Sequence, residues 1–208
     1  PLGAGEKPEM YAEVMFEVLD ALAIKRAILV GCSWGGQVVL HAGVRAPERA
    51  VGVLAMNTPL APSIGGHFME LYGTRIFGST QFWGRGVARS MVAPGFMKSS
   101  PEKVARFVQR FREFDKKAAS STVRRVMTQF PGMADILPRI EVPTVLQMGA
   151  EDRLYPVEKM QQIAALSSIA RVQVIPKCGH LAPLEAPLAV CSAIRQLSPD
   201  PFNGSQIE

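Results

Sequence analysis

The sequence predicts an α/β fold: a parallel sheet with helices on both faces and a helical cap inserted between two of its strands. Three observations lead there. Short apolar runs alternate with amphipathic segments of helical period along most of the chain, the pattern of parallel strands joined by crossing helices. The stretch 59–138 breaks that alternation with helical pieces interrupted by Gly and Pro, as an insertion would. The segment Gly31-Cys32-Ser33-Trp34-Gly35 joins a strand to a helix through a sharp, glycine-flanked turn, an arrangement that lifts the central serine clear of the sheet.

Taken in order, the elements justify that expectation. Lys7-Pro8-Glu9 reads as a helix start with Pro in the first turn. Tyr11, Val14, Met15, Val18 and Leu22 then form one apolar stripe, so 8–22 is expected to be an amphipathic helix. Residues 26–32 read as a buried strand, 35–45 as a helix stopped by Ala46-Pro47, and 50–56 as a second strand ending at Asn57-Thr58-Pro59. Within the inserted stretch the clearest helix begins at Ser99-Ser100-Pro101-Glu102, a capping pattern. Further strands are expected over 144–148 and 171–175, with helices over 156–166 and 187–197. The core is therefore 1–58 with 139–197, the cap is 59–138, and the polar tail 198–208 is expected to fray.

Composition excludes several classes. The chain has 208 residues, 48% hydrophobic and 20% charged, an ordinary globular profile. No apolar run approaches the roughly 18–20 residues that span a bilayer, so no stable membrane insertion is expected. Cys32, Cys178 and Cys191 are too few and too scattered for a disulfide framework, which points to a reducing cytoplasm. Neither a C-x-x-C nor an H-x-x-x-H spacing accompanies Cys32, Cys178 and His180, so no metal and no cofactor is called for. Residues 75–125 carry twelve Lys or Arg against three acidic residues, a net +9 within a chain of net +5. Val104, Phe107, Val108 and Phe111 recur at helical spacing among those charges, so the basic residues read as the wet side of a helix. No nucleic-acid motif accompanies them.

A serine hydroxyl needs a base within hydrogen-bond reach to act as a nucleophile. Three histidines are available. His41 lies on the helix after Ser33, roughly 12 Å along the axis at 1.5 Å per residue, and cannot serve. His67 stands in Gly65-Gly66-His67 at the entry to the cap, where it could line a channel. His180, in Lys177-Cys178-Gly179-His180, follows the fourth strand and is the expected base. The acid expected to orient it is Asp152 in Gly149-Ala150-Glu151-Asp152, after the third strand. The other strand end available to an acid carries Asn57, which has no charge. Ser33, Asp152 and His180 come in the chain order expected of this turn type. The Trp34 N–H, directly after the serine at a helix start, is expected to donate to an oxyanion. Trp34, Trp83 and Leu181 are the expected substrate-binding side chains, with Phe68, Phe82 and Phe96 also available to an apolar pocket. Cys32 reads as a small buried filler rather than a nucleophile.

These residues resemble the α/β-hydrolase superfamily. The resemblance rests on G-C-S-W-G-G at 31–36, P-E-R at 47–49, G-A-E-D at 149–152 and C-G-H-L-A-P-L-E-A-P at 178–187. The ending is most similar to the small esterase, enol-lactonase and cofactor-free haloperoxidase branch. S-W-G also resembles proline iminopeptidases and intracellular polyhydroxyalkanoate depolymerases, although G-A-E-D departs from the G-R-Y-D of such peptidases. The resemblance implies a serine hydrolase acting on a small ester or lactone. Amide, carbon–carbon and perhydrolytic chemistry, or ligand binding without catalysis, stand as alternatives on the same fold.

The resemblance also implies a second oxyanion donor in a loop after an earlier strand, commonly within H-G. Nothing before Ala27 reads as a strand and no H-G pair precedes Ser33. The expectation is therefore the C-terminal part of an α/β-hydrolase fold, with first strands and second donor lying outside these residues. The strand before Ser33 would then be an exposed edge open to self-association, and this polypeptide alone would turn over poorly.

Overall fold

The computed structural model describes residues 7–61, 80–113 and 132–198. Four strands, β1 (Ala27–Cys32), β2 (Ala50–Met56), β3 (Thr144–Gly149) and β4 (Ala170–Ile175), form one sheet in the order β1-β2-β3-β4. All three pairings are parallel. The central strands β2 and β3 are buried along almost their whole length, whereas β1 and β4 alternate toward solvent, as sheet interiors and edges require. β1 stands at one end of that order among the described residues, and its Val30 is 39% exposed.

Around the sheet stand the helices α1 (Pro8–Ala21), α2 (Trp34–Arg45), α7 (Val157–Ala164) and α9 (Pro187–Leu197). The two-residue period of the strands divides the core. Val53, Ala55, Leu146 and Met148 face a cluster with Leu40 of α2 and Met160 of α7. Leu54, Met56 and Val145 face the opposite way, against Val190, Ala193 and Leu197 of α9. Helices therefore cover both faces.

Between β2 and β3 in the chain lie α3 (Gln81–Met91), α4 (Pro94–Ser99), α5 (Pro101–Glu113) and the short α6 (Met133–Ile136). The helix expected from Ser99-Ser100-Pro101-Glu102 is α5. It buries Val104 and Val108 against Ala88 and Val92, while Arg106 and Arg110 face outward, which is the division the charge pattern predicts. His67 and Phe68 lie outside the described residues, as do 199–208 of the tail.

One sequence expectation is corrected. The stripe on α1 does not face the core as a unit: Val14, Val18 and Leu22 are 51–64% exposed, and the inward face carries Ala12 with Met15 and Phe16. Apolar residues cover more than one face of this helix, so periodicity alone could not select the side that meets α2.

Candidate active site

Parallel pairing in register brings four strand ends to one edge. Cys32 lies opposite Met56, Met56 opposite Gln147, and Gly149 opposite Ile175. The residues that follow are Ser33, Asn57, Asp152 and, in a short loop carried forward by α8 (Ala182–Glu185), His180. Backbone bonds continue the ladder past the strands: the Ser33 N–H donates to Met56 O, and the Asn57 N–H donates to Gln147 O, each at 2.8 Å.

The turn at Ser33 is strained. Its φ is 54° and its ψ −127°, a conformation that costs a residue with a side chain about 1–3 kcal/mol. Gly31 is required there, because a β-carbon at that position would strike the Gly35 carbonyl oxygen. Gly35 itself is not sterically required: a β-carbon there meets nothing within 4 Å. The second crowded glycine is Gly36, whose β-carbon would stand 2.9 Å from Thr58 Cβ and strike Thr58 Oγ1. At Gly36 the tight approach is therefore between α2 and the end of β2, whereas at Gly31 it runs across the turn.

His180 joins the two other predicted residues. Its Nδ1 lies 2.9 Å from Asp152 Oδ2, and its Nε2 lies 2.9 Å from Ser33 Oγ. An ionised carboxylate only accepts, so Nδ1 carries the hydrogen and Nε2 is left to accept from the Ser33 hydroxyl. The His180 and Asp152 side chains are buried, and the Tyr155 ring lies 5.5 Å from the imidazole between centroids.

Asp152 is held on every side. Oδ2 also accepts from Asn57 Nδ2 at 2.8 Å, while Oδ1 accepts from the Leu154 N–H at 2.8 Å and the Tyr155 N–H at 3.3 Å. Burial alone would raise the carboxyl's pKa. The hydrogen bond and charge of His180, with the Asn57 amide and the Leu154 N–H, outweigh burial and hold it below its usual value. Asn57 is thus a functional candidate that sequence reasoning passed over. Read there as a position lacking a charge, it is fully buried and donates both to Asp152 and to Gly179 O, the latter at 3.1 Å. Its available signal was a polar residue between a wholly apolar strand and Thr-Pro.

The remaining candidates fall as follows. Trp34 opens α2, so its N–H is among the first-turn amides without an intrahelical acceptor; its ring meets Tyr11 of α1 edge-on at 4.9 Å. Trp83 lies in the first turn of α3, where its N–H donates to Thr80 Oγ1. Leu181 packs against the cluster of α3 and α5. Phe82 is 83% exposed, and Phe96 lies beneath the Lys103 ammonium. His41 pairs with Glu9 on α1 at 3.3 Å, away from Ser33 as expected. The Cys32 thiol points to the His180 carbonyl rather than to its ring; burial, with the Asp152 charge, pushes its pKa up to about 11, which keeps it a neutral thiol. Among the described residues no group of three or more His, Cys, Asp or Glu is arranged to hold a metal ion, and no helix is long and apolar enough to cross a membrane.

A strained serine on a strand-to-helix turn, bonded to an imidazole that a buried carboxylate orients, can surrender its proton to Nε2 as it attacks an electrophile. The chain matches the model of the alpha/beta hydrolase family over residues 3–193, and it belongs to that family of enzymes. It is similar to the uncharacterized hydrolase YugF of Bacillus subtilis, at 25% identity over 205 residues that cover 90% of this chain and 73% of that protein. Among solved structures it resembles the enol-lactonase from Burkholderia xenovorans LB400, with a TM-score of 0.83 and 20% identity over 95% of this chain and 74% of that one. It also resembles a thermophilic esterase from Thermogutta terrifontis, with a TM-score of 0.80 and 22% identity over 94% of this chain and 73% of that one.

Proposed function

We propose that this chain is a serine hydrolase of carboxylic esters or lactones, working through an acyl-enzyme on Ser33, His180 and Asp152. Ser33 Oγ attacks the carbonyl carbon as its proton passes to His180 Nε2, and the Trp34 N–H donates to the oxyanion. Collapse of the tetrahedral intermediate breaks the acyl–oxygen bond, and the departing alkoxide takes the proton from Nε2. A water then gives a proton to Nε2 and attacks the acyl carbon, and Ser33 leaves with that proton. Asp152 holds the productive tautomer and stabilises the imidazolium throughout. In this reading the helices between β2 and β3 form a cap over the site and Trp34, Trp83 and Leu181 contact substrate.

The observation that carries the proposal is the pair of 2.9 Å contacts on opposite nitrogens of one buried imidazole. A fluorophosphonate probe tests it. It is expected to label Ser33 in the folded protein, and S33A is expected to lose both labelling and turnover of para-nitrophenyl acetate. Folded protein that leaves Ser33 unlabelled would instead favour a binding protein on a hydrolase fold.

A further inference from the structure

Glu185, the last residue of α8, turns its carboxylate back over the loop that carries His180. Oε2 accepts from the Gly179 N–H at 3.0 Å and Oε1 from the Leu181 N–H at 3.0 Å. One anion therefore holds the peptide N–H groups on both sides of His180. Oε2 also accepts from the Ala93 N–H at 2.8 Å, and the His180 N–H donates to Met91 O at 2.6 Å. Met91 and Ala93 flank the junction of α3 and α4. The loop and that junction are thus fastened to each other at two points, one of them through Glu185.

Two carbonyls of the loop are already engaged. Gly179 O already accepts from Asn57, and Leu181 O accepts from the Leu184 and Glu185 N–H groups. Space is equally short, since a β-carbon at Gly179 would stand 2.6 Å from Ala93 N, 2.7 Å from Met91 O and 3.0 Å from Glu185 Oε1. Bonds to an ionised acceptor are roughly twice as strong as neutral ones, so losing the charge would release the loop rather than let it re-bond in place.

We infer that Glu185 is a positioning residue for His180: it fixes the loop around the imidazole, ties that loop to the Met91–Ala93 junction, and so sets the distance from Nε2 to Ser33. The inference rests on the reading of Ser33, Asp152 and His180 as the catalytic set.

The test compares E185Q, H180A and the double variant in the full chain, with para-nitrophenyl acetate as substrate. A glutamine offers one acceptor oxygen where three N–H groups need two, and an imidazole displaced by an ångström costs up to about 10²-fold. E185Q is therefore expected to lose kcat toward that limit with KM little changed, while adding no loss in the H180A background, because its effect passes through His180. Wild-type kcat in folded E185Q would overturn the inference, as would an equal further loss on top of H180A. Should E185Q fail to fold, A93P removes one of the three donors at a residue whose φ of −60° suits proline. It is expected to lower kcat in the same way, and wild-type kcat in A93P would overturn the tie to the junction. S33A separates the two readings: turnover surviving in S33A defeats the catalytic set, whereas an inert S33A beside an unimpaired E185Q defeats only the role of Glu185.

Discussion

Replacing Asn57 with glycine isolates what holds the Asp152 carboxylate. Asn57 sits at φ 47°, a region glycine occupies without strain, so N57G removes the side chain and leaves the backbone unstrained. Two bonds go with it: Nδ2 to Asp152 Oδ2 at 2.8 Å and Nδ2 to Gly179 O at 3.1 Å. A hydrogen bond to a charged group contributes about 1.5–3 kcal/mol and a neutral one about 1 kcal/mol. Water entering the vacated space offsets part of that. The net expectation is a loss of about 2–3 kcal/mol at neutral pH, which lowers the melting temperature by about 4–12 °C in a domain of this size.

The pH dependence makes the reasoning refutable. Asp152 has a folded pKa below its unbound value of 3.8. Such a group contributes stability that is present above the unfolded pKa and is lost as pH falls through the folded one. The Asn57 donor is one source of that depression, so N57G brings the folded value closer to 3.8. The stability gap between wild type and N57G should then be widest near neutral pH and narrow below pH 3.8, where Asp152 takes up its proton. Urea unfolding of both proteins at several pH values measures the gap directly. A gap that stays constant into the acid range would mean that Asn57 does not act on the charged carboxylate, and its placement as a support of the site would be wrong.

The two glycines after Trp34 should respond in opposite ways. G36A forces a β-carbon against Thr58 and is expected to cost about 1–3 kcal/mol by overpacking. G35A fills open space within α2 and is expected to gain up to about 1 kcal/mol from helix propensity; thermal melts rank them, and the reverse order would refute the assigned contact. C32A should keep turnover near wild type because a thiol with a pKa of about 11 stays protonated and points at a carbonyl. Loss of activity in C32A comparable to that of S33A would move the nucleophile to Cys32.

What the sequence disclosed, and what it withheld, divides along the range of the interactions involved. The meeting of Ser33, Asp152 and His180 was legible because each stands locally marked: a residue with usable chemistry just after an apolar run, in a fold where parallel strands bring such ends to one edge. The strands and α9 were legible for the same reason, since their periods and flanking prolines lie within a few residues. Asn57 was not, because its value lies in donating to a carboxylate 95 positions away, and only the side-by-side pairing of β2 and β3 makes them neighbours. The same holds for Gly36, crowded by Thr58 across 22 residues rather than by the turn it belongs to, and for Glu185, recognisable as part of a motif but not as an anchor for Ala93. In each case the missed residue adds no new chemistry to the edge. It meets a partner contributed by another element, so its identity depends on which elements meet. Charge at a strand end can be read from one segment, whereas the partners that orient it require the whole sheet.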